Sequence, residues 1–369
     1  MKILVYDPIS LGISHLSFNT TIIKSIIKTS ITQSIDLLLC NSQLEQYPFK
    51  KILKSDKIKE ISSINNYQIN NKFLYLINTI ISYKNLYKLI KKSNPDVLFV
   101  LAVDNFYSPI FLMIIKKVFN INIFVILHNN IENIKNSKFK IQIWKQVFKK
   151  NIIGVVLANY VLKKAELIFN SSRNISLLNH PSYQHILNKN NEFEFDFLLL
   201  GRHSQFFYEN NFSSIFFSHC QDLKGNKKIV LAIRKINSHN SENKGVVKKE
   251  YDFPMTDNEY KNMLHKSKFI IIPPQAAFRI TASGVHLDAI SAGVPVIAPK
   301  TGVFIENVPK SGHILLYDNE SMDNCIKTAI EMNDQQYYAI KKDLVSLTSS
   351  LSVPNTSEKI NKLLKTTFK

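Results

Sequence analysis

Short apolar runs bounded by turn residues alternate along the chain with longer stretches whose apolar residues recur at helical spacing, the pattern of parallel strands buried beneath helices. In the first half this predicts strands at Lys2 to Tyr6, Ser34 to Leu39, Val97 to Val103, Ile123 to Leu127 and Leu167 to Asn170. Helices are expected between them, at Phe18 to Thr29, Phe73 to Lys92 and Pro109 to Phe119. Pro95 and Asp96 mark a helix-to-strand turn. The polar run Asn188 to Glu192 interrupts the pattern, which restarts with strands at Phe195 to Leu200, Lys228 to Ile233, Phe269 to Ile272, Val294 to Ala298 and His313 to Leu316. The reading is α/β, with two doubly wound domains in succession and a helical stretch from Asp334 onward, broken near Val353 and Pro354. No internal repeat is evident. The expected layout is residues 1–186 and 187–345 as Rossmann-like domains facing a central cleft, with 346–369 as a tail packing back on the first.

Length agrees, since 369 residues make about two domains at roughly 100–200 residues each. With 45% hydrophobic and 20% charged residues the chain is neither disordered nor fibrous. Charge changes the picture more: 47 Lys and Arg against 28 Asp and Glu give +19, a surface that seeks polyanions such as nucleic acid, anionic lipid or phosphorylated small molecules. A chain rich in Lys, Asn and Ile would acquire part of that excess from genome composition alone, so its weight is reduced. The nucleic-acid reading lacks a zinc finger, an RRM signature or a basic stripe with stacking aromatics. Cys40, Cys220 and Cys325 have neither disulfide-framework nor metal-ligand spacing, which fits a reducing cytosol. The apolar run Ile3 to Tyr6 is too short for a signal-peptide core, and Val97 to Val103, Ile110 to Ile115 and Ile152 to Leu162 fall short of the roughly 20 residues of a membrane span. Membrane contact is therefore expected to be peripheral. Lys135, Lys138, Lys140, Lys145, Lys149 and Lys150 interleave with Phe139, Ile141, Trp144, Val147 and Phe148 at helical spacing, the pattern of a basic helix lying on an anionic membrane surface or of an ordinary amphipathic helix.

In doubly wound sheets ligands sit outside the carboxyl ends of the strands, which directs attention to the loops there. The most informative segment runs from Phe278 through Arg279, Thr281, Ser283, Gly284, Asp288 and Gly293 to Pro299, and reads as loop, short helix, glycine stop and buried strand. Ser283 and Gly284 fall where the helix opens, so free N–H groups and the positive end of the helix dipole are offered to a phosphate. Asp288, one turn in, is placed to accept both hydroxyls of a ribose, and Arg279 to supply a planar cation. Taken singly, Thr281 or Ser283 reads as an N-cap, Gly293 as a C-cap and Asp288 as a solvated residue; it is the joint pattern that points to a site.

The run Asp288-Ala-Ile-Ser-Ala-Gly-Val-Pro-Val-Ile297, followed by Gly302, Glu306 and Val308, resembles the C-terminal donor domain of GT-B glycosyltransferases, especially the group-4-like enzymes of bacterial surface polysaccharide synthesis. The resemblance implies that Asp288 binds the ribose as the second acid of a Glu-x7-Glu motif. The first acid falls at Ile280, so the chain is closer to variants reading Arg-x-x-x-Ser-Gly. Phe197 to Arg202 resembles the family's strand and Gly-Arg start, in which the Arg contacts the diphosphate; the Lys usually found shortly after is absent, with Lys300 or Lys235 as replacements. The implied donor site is Arg202, Arg279, Thr281, Ser283, Gly284, Asp288 and Glu306.

In the first half, the loop from Asp7 to His15 resembles the family's Gly-rich loop and would aim His15 at the cleft. Asp104 with Asn105, and His128 with Asn129, hold the equivalent ends of later strands, so His15, Asp104 and His128 are the candidates for acid or base toward an acceptor hydroxyl. His180-Pro181-Ser182-Tyr183 resembles the segment before the interdomain hinge. The implied activity is sugar transfer from a nucleotide-sugar, as co-substrate, to a polysaccharide or lipid-linked glycan. No Asp-x-Asp motif appears, so metal independence and no resident cofactor are expected, the cations and helix dipole neutralising the leaving diphosphate. The alternatives are a nucleotide-sugar epimerase of the same fold and a non-catalytic glycan-binding scaffold.

Overall fold

The computed structural model describes the chain apart from residues 11–14, 66–70, 129, 171–172, 182–192, 201–202, 210–211, 223–228, 236–245, 253–254, 274–282, 307–314, 319–320 and 368–369. The expected boundary at 188–192 therefore lies outside the described residues. Two compact units are present, the first comprising Met1–Tyr183 and Leu351–Lys369 and the second most of the intervening chain.

The first unit carries strands β1 (Lys2–Tyr6), β2 (Ser34–Cys40), β3 (Ile58–Ile64), β4 (Val97–Val100), β5 (Asn122–Ile126), β6 (Ile152–Val156) and β7 (Ile175–Leu177). They pair in parallel in the order β3-β2-β1-β4-β5-β6-β7. The central strands read as unbroken apolar runs because both faces are covered: all of β4 and all but the first residue of β1, β2 and β5 are buried. Each such Val, Leu or Ile contributes roughly 1.5–3 kcal/mol of transfer free energy. The edge strand β3 instead alternates half-buried and exposed positions.

The helices of this unit are α1 (Leu16–Lys28), α2 (Asn41–Leu44), α3 (Tyr47–Ile52), α4 (Lys72–Ser93), α5 (Tyr107–Phe119), α6 (Asn130–Lys135), α7 (Lys138–Lys149) and α8 (Asn159–Phe169). The Asn71 side chain caps α4 by accepting from the N–H groups of Phe73 and Leu74. Asn94, Asn120 and Asn170 end α4, α5 and α8 in the left-handed conformation that stops a helix. The segment Leu167 to Asn170, expected as a strand, is thus the last turn of α8 and its cap; the strands on either side of α8 are β6 and β7. Gly154 of β6 is required by packing, since a Cβ there would lie 2.9 Å from the Phe148 ring and 3.0 Å from the Leu127 side chain.

Trp144, Val147 and Phe148 of α7 are buried in the unit, and Trp144 Nε1 donates to the Asn105 carbonyl at 3.3 Å. Three of the five apolar residues that its spacing singled out are thus turned into the protein, while Ile141 is half-buried and Phe139 is exposed.

The second unit carries β8 (Phe195–Leu199), β9 (Ile229–Arg234), β10 (Val246–Tyr251), β11 (Ser267–Ile271), β12 (Val296–Pro299) and β13 (Leu315–Tyr317), all parallel in the order β10-β9-β8-β11-β12-β13. Its helices are α9 (His203–Glu209), α10 (Phe212–Asp222), α11 (Asp257–His265), α12 (Gly284–Ser291), α13 (Gly302–Glu306), α14 (Met322–Glu331) and α15 (Asp334–Ser350). The last helix, α16 (Val353–Thr367), belongs to the first unit: it packs on α1, and its Ile360 and Leu364 enter the core beside Ile22, Ile26 and Leu37.

Candidate functional site

In each sheet the strand order reverses direction at one point, between β1 and β4 in the first unit and between β8 and β11 in the second. Loops leaving the carboxyl ends of those strands diverge and leave room for a ligand. Among the described residues, His15 and Asp104 follow β1 and β4, Ser283, Gly284 and Asp288 follow β11, and His128 and Glu306 follow the neighbouring strands β5 and β12.

In the first unit the loop after β1 is anchored by Asp7. Its fully buried carboxylate accepts from the N–H groups of Ile9 and Ser10 at 2.9 and 3.0 Å and from Asn19 Nδ2 at 2.6 Å. Asn19 also donates to Gln43 at 3.0 Å. Such donors stabilise a buried anion without a cation. The anchored loop delivers His15 as the N-cap of α1, in the left-handed region at φ 55°, where a non-glycine residue stays only if its surroundings hold it. The His15 ring stacks obliquely on His128, with centroids 4.7 Å apart. Phe18 touches His128 and His180 at 4.4 and 4.9 Å. Three histidines that follow β1, β5 and β7 therefore form one cluster, His128 and His180 against Phe18 and His15 against His128.

Their hydrogen bonds fix the tautomers. His128 Nε2 lies 3.1 Å from the Leu101 carbonyl and His180 Nδ1 lies 2.8 Å from the Pro181 carbonyl, and a carbonyl can only accept. Both nitrogens are therefore protonated, which leaves Nδ1 of His128 and Nε2 of His180 as acceptors in the neutral rings. Loss of hydration, and the neighbouring imidazoles His15 and His180, hold His128 well below the usual range. His180 is pushed down to about 4, chiefly by burial. His15 is also lowered by loss of hydration, a tendency that the Asp7 carboxylate opposes, although part of the residue is exposed to solvent. At neutral pH the trio is uncharged.

Asp104 is occupied differently. Its Oδ1 accepts from the N–H groups of Phe106 and Tyr107, and its Oδ2 from the N–H and hydroxyl of Ser108. This is the geometry of a helix cap at the start of α5, with the carboxylate committed to four donors. Asn130 Nδ2 bonds to the Val103 carbonyl and to Asn105 Oδ1, tying together the loops after β4 and β5.

In the second unit α12 begins on the carboxyl side of β11. Ser283 is its N-cap, and its hydroxyl accepts from the His286 N–H at 3.3 Å. Gly284 is exposed, does not adopt a positive φ, and has no atom within 4 Å of where a Cβ would stand. One turn on, Asp288 is half-buried and its Oδ2 accepts from the Tyr260 hydroxyl of α11 at 2.9 Å. Tyr260 was not legible as a functional residue, because it lies 28 positions from its partner on another helix. His286 is fully buried, meets Phe304 edge-on at 5.0 Å, and burial pushes it down to about 3. Glu306, ending α13, is exposed, as are Lys300 and Lys235. Arg202, Arg279, Thr281 and Asn129 lie outside the described residues.

The strand ends below these groups are pinned by tyrosines. Tyr317 donates to the Ile272 carbonyl at 2.8 Å, and Tyr251 to the Leu199 carbonyl. Chemically, the second unit offers backbone N–H groups, a hydroxyl cap and an oriented carboxylate, a set suited to a phosphate with a neighbouring sugar diol. The first unit offers neutral imidazoles suited to hydroxyl groups. Among the described residues no cluster of His, Cys, Asp or Glu is arranged to hold a metal ion.

Comparison with known proteins places the architecture. No protein-family model matches the chain, and no curated protein matches it in sequence. Among solved structures it is similar to Anabaena HepE in complex with UDP-glucose, with a TM-score of 0.66 and 12% identity over 99% of this chain and 100% of that one. It is also similar to a sucrose-phosphate synthase from Thermosynechococcus elongatus, with a TM-score of 0.67 and 12% identity over 100% and 98% of the two chains. A UDP-GlcNAc 2-epimerase from Neisseria meningitidis bound to UDP-GlcNAc gives a TM-score of 0.57 at 12% identity, over 99% and 100%. The chain has the α/β fold of the GT-B glycosyltransferases and epimerases, built from two parallel-stranded units.

Proposed function

We propose that the chain is a glycosyltransferase that moves a sugar from a nucleotide-sugar, a UDP-sugar in the first instance, to a polysaccharide or lipid-linked glycan acceptor. The observation that carries the reading is Gly284. Alanine in place of a glycine whose backbone it can adopt stabilises by roughly 0.4–1 kcal/mol, and neither backbone conformation nor a close neighbour requires glycine here. Close approach of a ligand to the helix-start N–H groups would require it. Asp288, oriented by Tyr260, is assigned to the ribose, with Ser283, Gly284, Arg202, Arg279, Thr281 and Glu306 completing the donor site. The solved structures of HepE with UDP and with UDP-glucose favour uridine as the base.

For the acceptor side we assign His15 as the base. Asp104 is committed to four donors and His128 spends its proton-bearing nitrogen on Leu101, whereas His15 makes no ring hydrogen bond among the described residues. Transfer would proceed without a metal, the helix dipole and arginines neutralising the departing diphosphate. A bacterial cytoplasmic setting, with capsule or lipopolysaccharide as the product, follows from the sequence resemblance. Thermal-shift titration with UDP, GDP, CMP and ADP tests the donor site: selective stabilisation by UDP is expected, weakened about 10- to 100-fold in Asp288→Ala, the loss of a charge-assisted hydrogen bond. Equal response to all four nucleotides, or none, would overturn it. The epimerase neighbour supports a second reading, which predicts conversion of UDP-GlcNAc to its 2-epimer without any acceptor.

A further inference from the structure

The outward face of α4 carries a feature the proposed chemistry does not use. Its exposed residues recur at helical spacing along all 22 residues, but they change character midway. In the first half every exposed position from Phe73 onward is apolar: Phe73, Leu74, Ile77, Ile80 and Ile81. In the second half the same stripe continues as Lys84, Tyr87, Lys88, Lys91 and Lys92. No residue from Phe73 to Ile81 is fully buried, so this half projects from the unit with apolar residues on its open side. The apolar stretch is about 12 Å long at 1.5 Å per residue.

Helix α5 extends the face. Tyr75 lies by Tyr107, Tyr83 stacks on Phe111 at 4.6 Å, and Tyr87 lies against Phe119 at 4.9 Å, so the two helices run side by side in parallel. The exposed stripe of α5 is Ile110, Ile114, Lys117 and Val118. Two adjacent helices thus expose a contiguous run of large aliphatic side chains, which soluble surfaces rarely leave uncovered.

Charge identifies what covers it. Helices α4, α5 and the neighbouring α7 contain eleven lysines and no Asp or Glu, against a net charge of +19 for the whole chain. The excess is concentrated here, which composition bias spread over the chain would not produce. Of the α4 stripe, Lys92 is ion-paired to Glu60 at 2.7 Å, the one such pair of the stripe among the described residues. A second copy meeting this face would set lysine against lysine with no acid to pair them. A surface of anionic headgroups over acyl chains answers both halves of the stripe, with aliphatic groups entering the interface and lysines reaching the phosphates.

We propose that the face formed by α4 and α5 docks on an anionic lipid bilayer, α4 lying along the interface. Among the described residues no helix is long and apolar enough to cross a membrane, so the association is monotopic. It is independent of the donor-site reading, because its test contains no nucleotide.

The full chain is sedimented with vesicles of phosphatidylcholine alone and with phosphatidylglycerol added. Binding to the anionic vesicles only, weakened by salt, is expected. Ile77→Ser/Ile80→Ser/Ile81→Ser and Lys84→Gln/Lys88→Gln/Lys91→Gln should each lower the partition coefficient at least about tenfold, since lysines near an anionic surface contribute about fivefold each. Both variants alter exposed positions and should keep the wild-type melting temperature. The proposal is overturned if the wild type stays in the supernatant with anionic vesicles, or if both variants bind as it does. It is equally overturned if sedimentation velocity shows a wild-type dimer that the serine variant dissociates, which would give the face to a second copy.

Discussion

The strand ends of the first unit and the start of α12 in the second solve opposite problems. The first is built of side chains locked by one another: Asp7 by two backbone N–H groups and Asn19, His128 by Leu101, His180 by Pro181, with Phe18 wedged among the rings. The second is built largely of backbone, an uncrowded glycine behind a serine cap, with one carboxylate aimed by a tyrosine. A surface that must recognise a variable partner needs oriented side chains, whereas a phosphate is met by N–H groups that every residue carries. The difference teaches where each half is sensitive to substitution, and three experiments sharpen it.

The largest effect is expected at His15. If it is the base, His15→Ala lowers kcat about 10²- to 10⁴-fold. UDP affinity should not change, because the two properties reside in different units. Steady-state kinetics beside nucleotide titration separates these; an equal fall in both would contradict the assignment. Asp104→Asn keeps most of the capping bonds and should fall well short of that loss, whereas an equal loss would return Asp104 to the chemistry.

The next effect is on stability against pH. His180 and His203 are pushed down to about 4 and His286 to about 3, each mainly by burial. A histidine whose folded pKa lies below its unfolded value near 6.5 takes up a proton on unfolding. Its contribution is therefore complete above about pH 6.5 and is lost as the pH falls toward the folded value, on the order of 3 kcal/mol per group. Urea midpoints across that window should drop, and His286→Phe, which removes a buried titrating ring, should flatten the part belonging to the second unit.

The smallest effect is the most discriminating. Gly284→Ala should raise stability by roughly 0.5–1 kcal/mol, since the position has helical space to spare, while weakening UDP binding. A gain in stability with unchanged binding would mean that no ligand approaches α12 there.

Much of this architecture was legible because buried parallel strands announce themselves. The apolar runs Val97 to Val103 and Ile123 to Leu127 read as strands and cover the observed Val97–Val100 and most of Asn122–Ile126. Two edge strands did not: β3, with its Lys59, Glu60 and two serines, and β10, with Lys248 and Lys249, expose one face and so lack an apolar run. Leu167 to Asn170 was misread because four residues of a helix end cannot be told from a short strand by periodicity. Helical spacing in α7 revealed an apolar face without revealing that Trp144, Val147 and Phe148 are covered by the protein while Phe139 is not. At the sites, strand-end position nominated His15, Asp104 and His128, but Asp104's capping role, the Tyr260 contact to Asp288 and the gathering of His180 with His15 and His128 are products of tertiary proximity. Nothing in linear spacing encodes them.

The return of α16 to the first unit sets an order on synthesis. The Ser25 hydroxyl meets the Val353 carbonyl 328 positions later, and Ile360 and Leu364 fill the core against α1. While a ribosome is still translating the second unit, the apolar back of α1 has no cover, and the first unit waits, incomplete, for helices made long after its own sheet. The second unit's sheet, by contrast, closes with residues that emerge together. Residues 1–183 expressed by themselves would carry that uncovered strip permanently, so the nascent chain passes through an interval in which the strip faces water.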